Sequence, residues 1–119
     1  MSMPINGGNI VSSGQHGAGT ITYGPTGSGS TVNDDTRIAA VSIQAAAGGN
    51  ARGRIAFGFD AAPGALASFA TTPDSSGLAY NAGPNGGGSV TISCDYPSGA
   101  AYVSIENEAN VIVTFWSKQ

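Results

Sequence analysis

The sequence predicts an all-β fold, a β-sandwich or jelly roll with an extended glycine-rich N-terminal arm, on three observations. Nine Ile and seven Val stand against two Leu, and nine Thr join the β-branched set. Such side chains lose χ1 freedom in a helix and pack well on a pleated surface. Apolar and polar residues alternate with a period of two in short runs bounded by Gly, Pro, Asn and Ser. No helical pattern intervenes between those runs, and no fixed-period repeat marks a solenoid or propeller.

Residues 1–35 are rich in Gly, Ser, Thr and Asn. Ile10-Val11 and Thr20-Ile21-Thr22-Tyr23 read as short strands, and 24–32 has linker composition. This third reads as an extended arm or a loose hairpin, leaving residues 36–119 as the sandwich core. Within the core, 37–44 alternates with Val41 and Ile43 on one side. Residues 54–59 place Ile55, Phe57 and Phe59 on one face and Arg54, Ala56 and Gly58 on the other. Residues 65–71 suit a strand or a single helical turn, and 72–88 reads as a long loop. Three strands follow, carrying Val90/Ile92/Cys94, Ala101/Val103/Ile105 and Val111/Val113/Phe115. The last two are expected to form a hairpin through Glu106–Asn110. The final strand also carries Ile112 and Trp116 on its other face. A strand apolar on both sides is expected to be covered twice, by a second sheet and by an arm or subunit.

Composition excludes several classes of function. The 119 residues hold four Lys plus Arg, seven Asp plus Glu and a net charge of −3, so phosphate neutralisation is too weak for a nucleic-acid binder. Few Leu, Ile, Val and Phe would suit a disordered chain, but disorder also calls for a high net charge. No run reaches membrane-span length, and Met1-Ser2-Met3-Pro4 begins no basic or apolar leader, so no membrane partner and no secretory signal are expected. A lone cysteine, Cys94, forms no internal disulfide and reads as a small core residue.

No catalytic constellation emerges, and no cofactor is expected. His16 is the one histidine and sits in Ser13-Gly14-Gln15-His16-Gly17, which reads as an exposed, loosely held position. Neither Gly27-Ser28-Gly29 nor Gly86-Gly87-Gly88 is followed by the lysine of a phosphate loop. Asn33-Asp34-Asp35 and Glu106-Asn107-Glu108 lack calcium-loop spacing and read as turn chemistry, so no metal is expected. Tyr80, Tyr96, Tyr102 and Trp116, with nearby Asn and Asp, carry the one binding alternative, a platform for stacking sugars. Their ordinary role is to fill a sheet face or a subunit contact.

A core of about 80 residues with small side chains, no disulfide and no metal has little stability to spare. Association is the remaining common source of it, so the chain is expected to complete itself against copies of itself and other subunits. In composition and organisation the whole chain resembles bacteriophage capsid decoration or cement proteins. That resemblance implies a non-enzymatic virion protein on the capsid surface, made in the host cytoplasm. It implies a dimer or trimer that clamps and stabilises neighbouring major capsid subunits. Its contacts would be Ile10, Val11, Ile21 and Tyr23 in the arm, with Tyr102, Ile112 and Trp116 on the core. The alternative is a carbohydrate-binding β-sandwich, a lectin or tail-fibre tip.

Overall fold

A computed structural model describes residues 10–24, 37–46, 49–68, 77–84 and 87–117, with the side chains of 10–15 outside that description. It is all-β. The strands are β1 (Ile10–His16), β2 (Gly19–Tyr23), β3 (Ile38–Ala45), β4 (Asn50–Gly58), β5 (Leu78–Pro84), β6 (Ser89–Ser93), β7 (Tyr102–Asn107) and β8 (Val111–Ser117). They form two four-stranded antiparallel sheets, one in the order β1-β8-β3-β6 and the other β2-β7-β4-β5. Only β4 and β5 are both consecutive and in the same sheet; every other connection crosses between sheets.

The period-two alternation decides what fills the space between the sheets. Val41 and Ile43 of β3 stand in register with Phe115 and Val113 of β8, and with Ile92 and Val90 of β6. Across from them Ile55 pairs with Ile105 and Phe57 with Val103. Ile38, Ile55, Val103, Ile105, Val111, Val113 and Phe115 join one buried cluster, with Tyr23, Phe57 and Cys94 packed against it. Tyr23 meets Phe115 edge-on, ring centroids 4.8 Å apart, which ties the second strand to the last.

Three expectations change. Residues 10–24 are neither arm nor loose hairpin: β1 pairs with β8 and β2 with β7, in opposite sheets. Pairing with the apolar closing strands supplies what the glycine-rich composition lacks. The segment Glu106–Asn110 is not a hairpin, because β7 and β8 lie in different sheets and the chain turns a corner between them. The expected loop 72–88 contains β5, whose turn-forming residues are held by the β4 ladder. Residues 62–68 form neither strand nor helix, while 1–9, 25–36 and the remainder of 69–76 lie outside the described residues.

The face carrying Arg54, Ala56 and Gly58 is not left bare. Arg54 is buried, its Nε donating to the Ser68 carbonyl at 3.1 Å, and a Cβ on Gly58 would stand 2.1 Å from the Ala61 carbonyl oxygen. The chain's own 59–68 segment therefore covers part of this face.

Candidate functional site

A recess lies on the outer face of the β1-β8-β3-β6 sheet. While Val111, Val113 and Phe115 point inward, Ile112, Thr114 and Trp116 alternate outward and stay half-buried. Thr114 pairs with Ser42, and Ser42 with Thr91, so three strands set hydroxyls in one row. The Trp116 indole Nε1 donates to Ser42 Oγ at 2.8 Å, and Ser42 Oγ and Thr91 Oγ1 share a hydrogen bond at 2.9 Å. This chain fixes the indole against the sheet. Together with Gln44, Ser89 and Ile112 these residues line a groove of about 490 Å³. Among the described residues no charged side chain lines it, and these residues offer hydrogen bonds and apolar contact without an acid, base or nucleophile pair.

A second, separate patch sits where β4 ends, β5 begins and the chain leaves β6. Phe59, Leu78 and Tyr96 are the exposed large apolar side chains among the described residues, and they gather there. Phe59 and Tyr96 pack with their ring planes tilted by 56° and centroids 5.3 Å apart, the Arg37 guanidinium lies 5.0 Å from the Phe59 ring, and Leu78 and Tyr96 border a recess of about 350 Å³. Scattered apolar residues need no explanation, but a cluster of them is a usual mark of a contact surface.

The sequence-predicted contacts divide. Ile112 and Trp116 line the groove. Ile21 and Tyr23 share the inner face of their sheet with Ile105 and Val103, and Tyr23 is packed into the molecule. Tyr102 is 9% exposed, with Gly24 closed over its ring. Ile10 lies on β1 beside Trp116 in register, and Val11 follows it, with their side chains outside the description. The four aromatics of the sugar platform do not assemble: Tyr80 is buried, Tyr102 and Trp116 belong to different sheets, and Tyr96 stands in the second patch. Ser42, Gln44 and Thr91 were not singled out from sequence. Their alternation with Val41, Ile43, Val90 and Ile92 is a sequence signal for an outer face, but only the pairing of β6, β3 and β8 makes it one surface.

His16 is the other departure from expectation. It is 1% exposed, at the end of β1, and both ring nitrogens face backbone carbonyls: Nδ1 that of Gly17, Nε2 that of Ile105 at 3.2 Å. A neutral imidazole has one N–H for these two acceptors. Burial lowers its pKa below the ordinary 6.5, opposed by the carbonyl contacts of Gly17 and Ile105. Beside it Asn107 Nδ2 donates to the carbonyls of Gly17 at 2.9 Å and Ala109 at 2.6 Å. Tyr80 donates its hydroxyl to the Glu106 carbonyl at 3.2 Å, and burial, with the charges of Glu106 and Glu108 behind it, holds that phenol well above its usual range. These groups bond backbone rather than one another, which makes them structural polar ties. The expected turn acids behave differently. Glu108 accepts from Arg52 Nε at 2.8 Å, Asn33–Asp35 lie outside the described residues, and among the described residues no three His, Cys, Asp or Glu gather to hold a metal.

The depressed His16 pKa fixes the sign of a pH effect. Its neutral form is favoured in the fold, so the stability it contributes is complete above about pH 6.5 and is lost as pH falls below that value. Urea midpoints are expected to fall between about pH 7 and 5.5, with a smaller fall in His16→Gln. Equal slopes in both proteins would remove His16 as the source.

Compared with known proteins, the chain matches no family model, no curated protein and no solved structure.

Proposed function

We propose that this protein is a non-enzymatic virion structural protein, a capsid decoration or cement protein that binds and stabilises the major capsid protein shell from its outer surface. The observation that carries this reading is the pair of separate patches on one sandwich, the groove around Trp116 and the cluster of Phe59, Leu78 and Tyr96. A protein that reinforces a shell must touch two neighbours at once, and two patches on a rigid body do that without chemistry. The sheet orders β1-β8-β3-β6 and β2-β7-β4-β5 add support, because we read them as a jelly roll, an architecture common among capsid and lectin domains. Fold alone assigns no function, so the weight stays on the patches. Residues 10–24 form the edge strands β1 and β2 rather than a free arm, so the clamp we propose is not a loose strap. It runs through the outer faces.

The test is co-sedimentation with empty shells of the major capsid protein, followed by electron microscopy of decorated particles. Trp116→Ala is expected to weaken binding by roughly thirtyfold, the equivalent of about 2 kcal/mol for a central aromatic contact. Shells that pellet without the protein at saturating concentration overturn the reading.

The groove itself favours a second reading. An indole beside the Gln44 amide and the hydroxyls of Ser42, Ser89 and Thr91, with no charged side chain among the described lining, suits a neutral sugar, and implies a lectin or tail-fibre tip domain. A glycan array separates the two: specific binding abolished by Trp116→Ala favours sugar, whereas a blank array with shell binding favours decoration.

A further inference from the structure

We infer that β6 is a self-pairing edge, through which two copies of this chain join the β1-β8-β3-β6 sheets into one continuous eight-stranded sheet about a two-fold axis at Thr91. The inference goes beyond the virion reading and stands without it.

Among the described residues β6 is an edge strand, paired on one side only, with β3. The register fixes which of its backbone groups are spoken for. Cys94 N–H donates to the Ala39 carbonyl at 2.8 Å, and Cys94 and Ala39 continue the β3–β6 register, so that pair is a hydrogen-bonded one. In an antiparallel ladder such pairs alternate. Ile92/Val41 and Val90/Ile43 are therefore the bonded pairs, and the N–H and C=O groups of Ser89, Thr91 and Ser93 point away from β3, toward the open edge.

The strand Ser89-Val90-Thr91-Ile92-Ser93 has the same chemical pattern read in either direction. Turned about Thr91, a second copy sets Ser89 against Ser93, Val90 against Ile92 and Thr91 against Thr91. Outward-pointing amides then meet outward-pointing amides, with two bonds at each of three facing pairs. Hydroxyls match hydroxyls on the outer face, and β-branched apolar residues match on the inner face, the pairing that stabilises neighbouring strands. A two-fold contact requires this self-complementarity.

The usual protection against edge pairing is missing from β6 and present on β5 and β1. β6 has no charge, no proline and no bulge. β5 ends in Pro84 and its register slips between Ala51 and Arg52 of β4, and β1 slips between Ile10 and Ser12. β2 is not self-complementary, since pairing about Ile21 would set Gly19 against Tyr23. Bulges, prolines and short or irregular edges are what keep sheet edges apart.

A five-residue edge buries little area, so the expected dimer is weak, with a Kd on the order of 100 µM. Sedimentation from about 10 µM to 1 mM, a range that brackets such a Kd, should move the mass from 11.7 kDa toward twice that value. Over the same range, amide exchange of Ser89, Thr91 and Ser93 should slow about fourfold, as the monomer fraction falls, while Val90 and Ile92, already bonded to β3, hardly change. Thr91→Pro removes an N–H that points outward, so it should keep the β spectrum and abolish the dimer. Should that variant misfold, Thr91→Lys sets like charges opposite each other at the axis and should also give a monomer. A wild type that stays monomeric at the top concentration overturns the inference. So does an association that survives Thr91→Lys without protection of the three amides.

Discussion

Gly53→Ala is expected to destabilise the protein by more than about 3 kcal/mol, beyond the roughly 1–3 kcal/mol of ordinary overpacking. Gly53 lies in β4, a central strand, opposite Asn107 of β7. A Cβ there would stand 1.7 Å from the Glu106 carbonyl oxygen, 2.7 Å from its carbon and 2.9 Å from the Asn107 Cα. All three are backbone atoms of the neighbouring central strand, so no rotamer change relieves the clash. Either β4 or β7 must move by more than an ångström, and the Arg54–Glu106 and Ile55–Ile105 pairings next to it move as well. The same displacement takes the Glu106 carbonyl away from the Tyr80 hydroxyl. The melting temperature should drop by about 10 °C or more. Gly64→Ala is the control, because nothing lies within 4 Å of a Cβ at that position, and it should melt within about 2 °C of wild type. Two variants melting together would mean that β4 and β7 do not approach as closely as described.

The contrast between those glycines shows what the sequence could and could not reveal. Alternation alone identified β3, β4, β6, β7 and β8 and placed Val41, Ile55, Ile105 and Val113 inside, because a half-buried strand writes its period into side-chain polarity. Partners were not legible. A nearest-neighbour reading joins the last two strands as a hairpin, yet the chain carries β7 and β8 to opposite sheets, and nothing in Glu106–Asn110 marks a corner rather than a turn. β5 was hidden for a related reason. Leu78-Ala79-Tyr80-Asn81-Ala82-Gly83-Pro84 holds turn formers that are strand residues only because β4 pairs with them. The groove was half legible, since Ile112 and Trp116 announce themselves on the outer face of an apolar strand. Ser42 and Thr91 become part of it through pairings that join residues 49 and 74 positions apart. His16 was misleading, as its glycine neighbours describe a loop, while its burial comes from β7, 89 positions away.

Asn107→Ala is expected to cost about 2–4 kcal/mol, and the reason lies in what its amide does at the corner between β7 and β8. Asn107 is 1% exposed, with Gly19 beside it on one side and Gly53 on the other. Its Nδ2 donates to the carbonyl of Gly17, where β1 passes to β2, and to that of Ala109, where the chain leaves β7. One side chain therefore ties together two connections that both cross between the sheets. Truncation removes the donor from both carbonyls and leaves a void between two glycines. Asn107→Asp separates the hydrogen-bond contribution from the loss of volume. It keeps the shape but sets a carboxylate against two carbonyl oxygens, so the group's folded pKa must rise above the ordinary value of about 3.9. A raised folded pKa means that stability is lost as pH increases through it. The Asp variant should be less stable than the Ala variant at about pH 7 and recover relative to it toward about pH 4.5, the reverse of the His16 effect in the wild type. Urea midpoints of the two variants at both pH values decide the matter. If the two proteins differ by the same amount at either pH, Asn107 acts by filling space, and its hydrogen bonds contribute nothing.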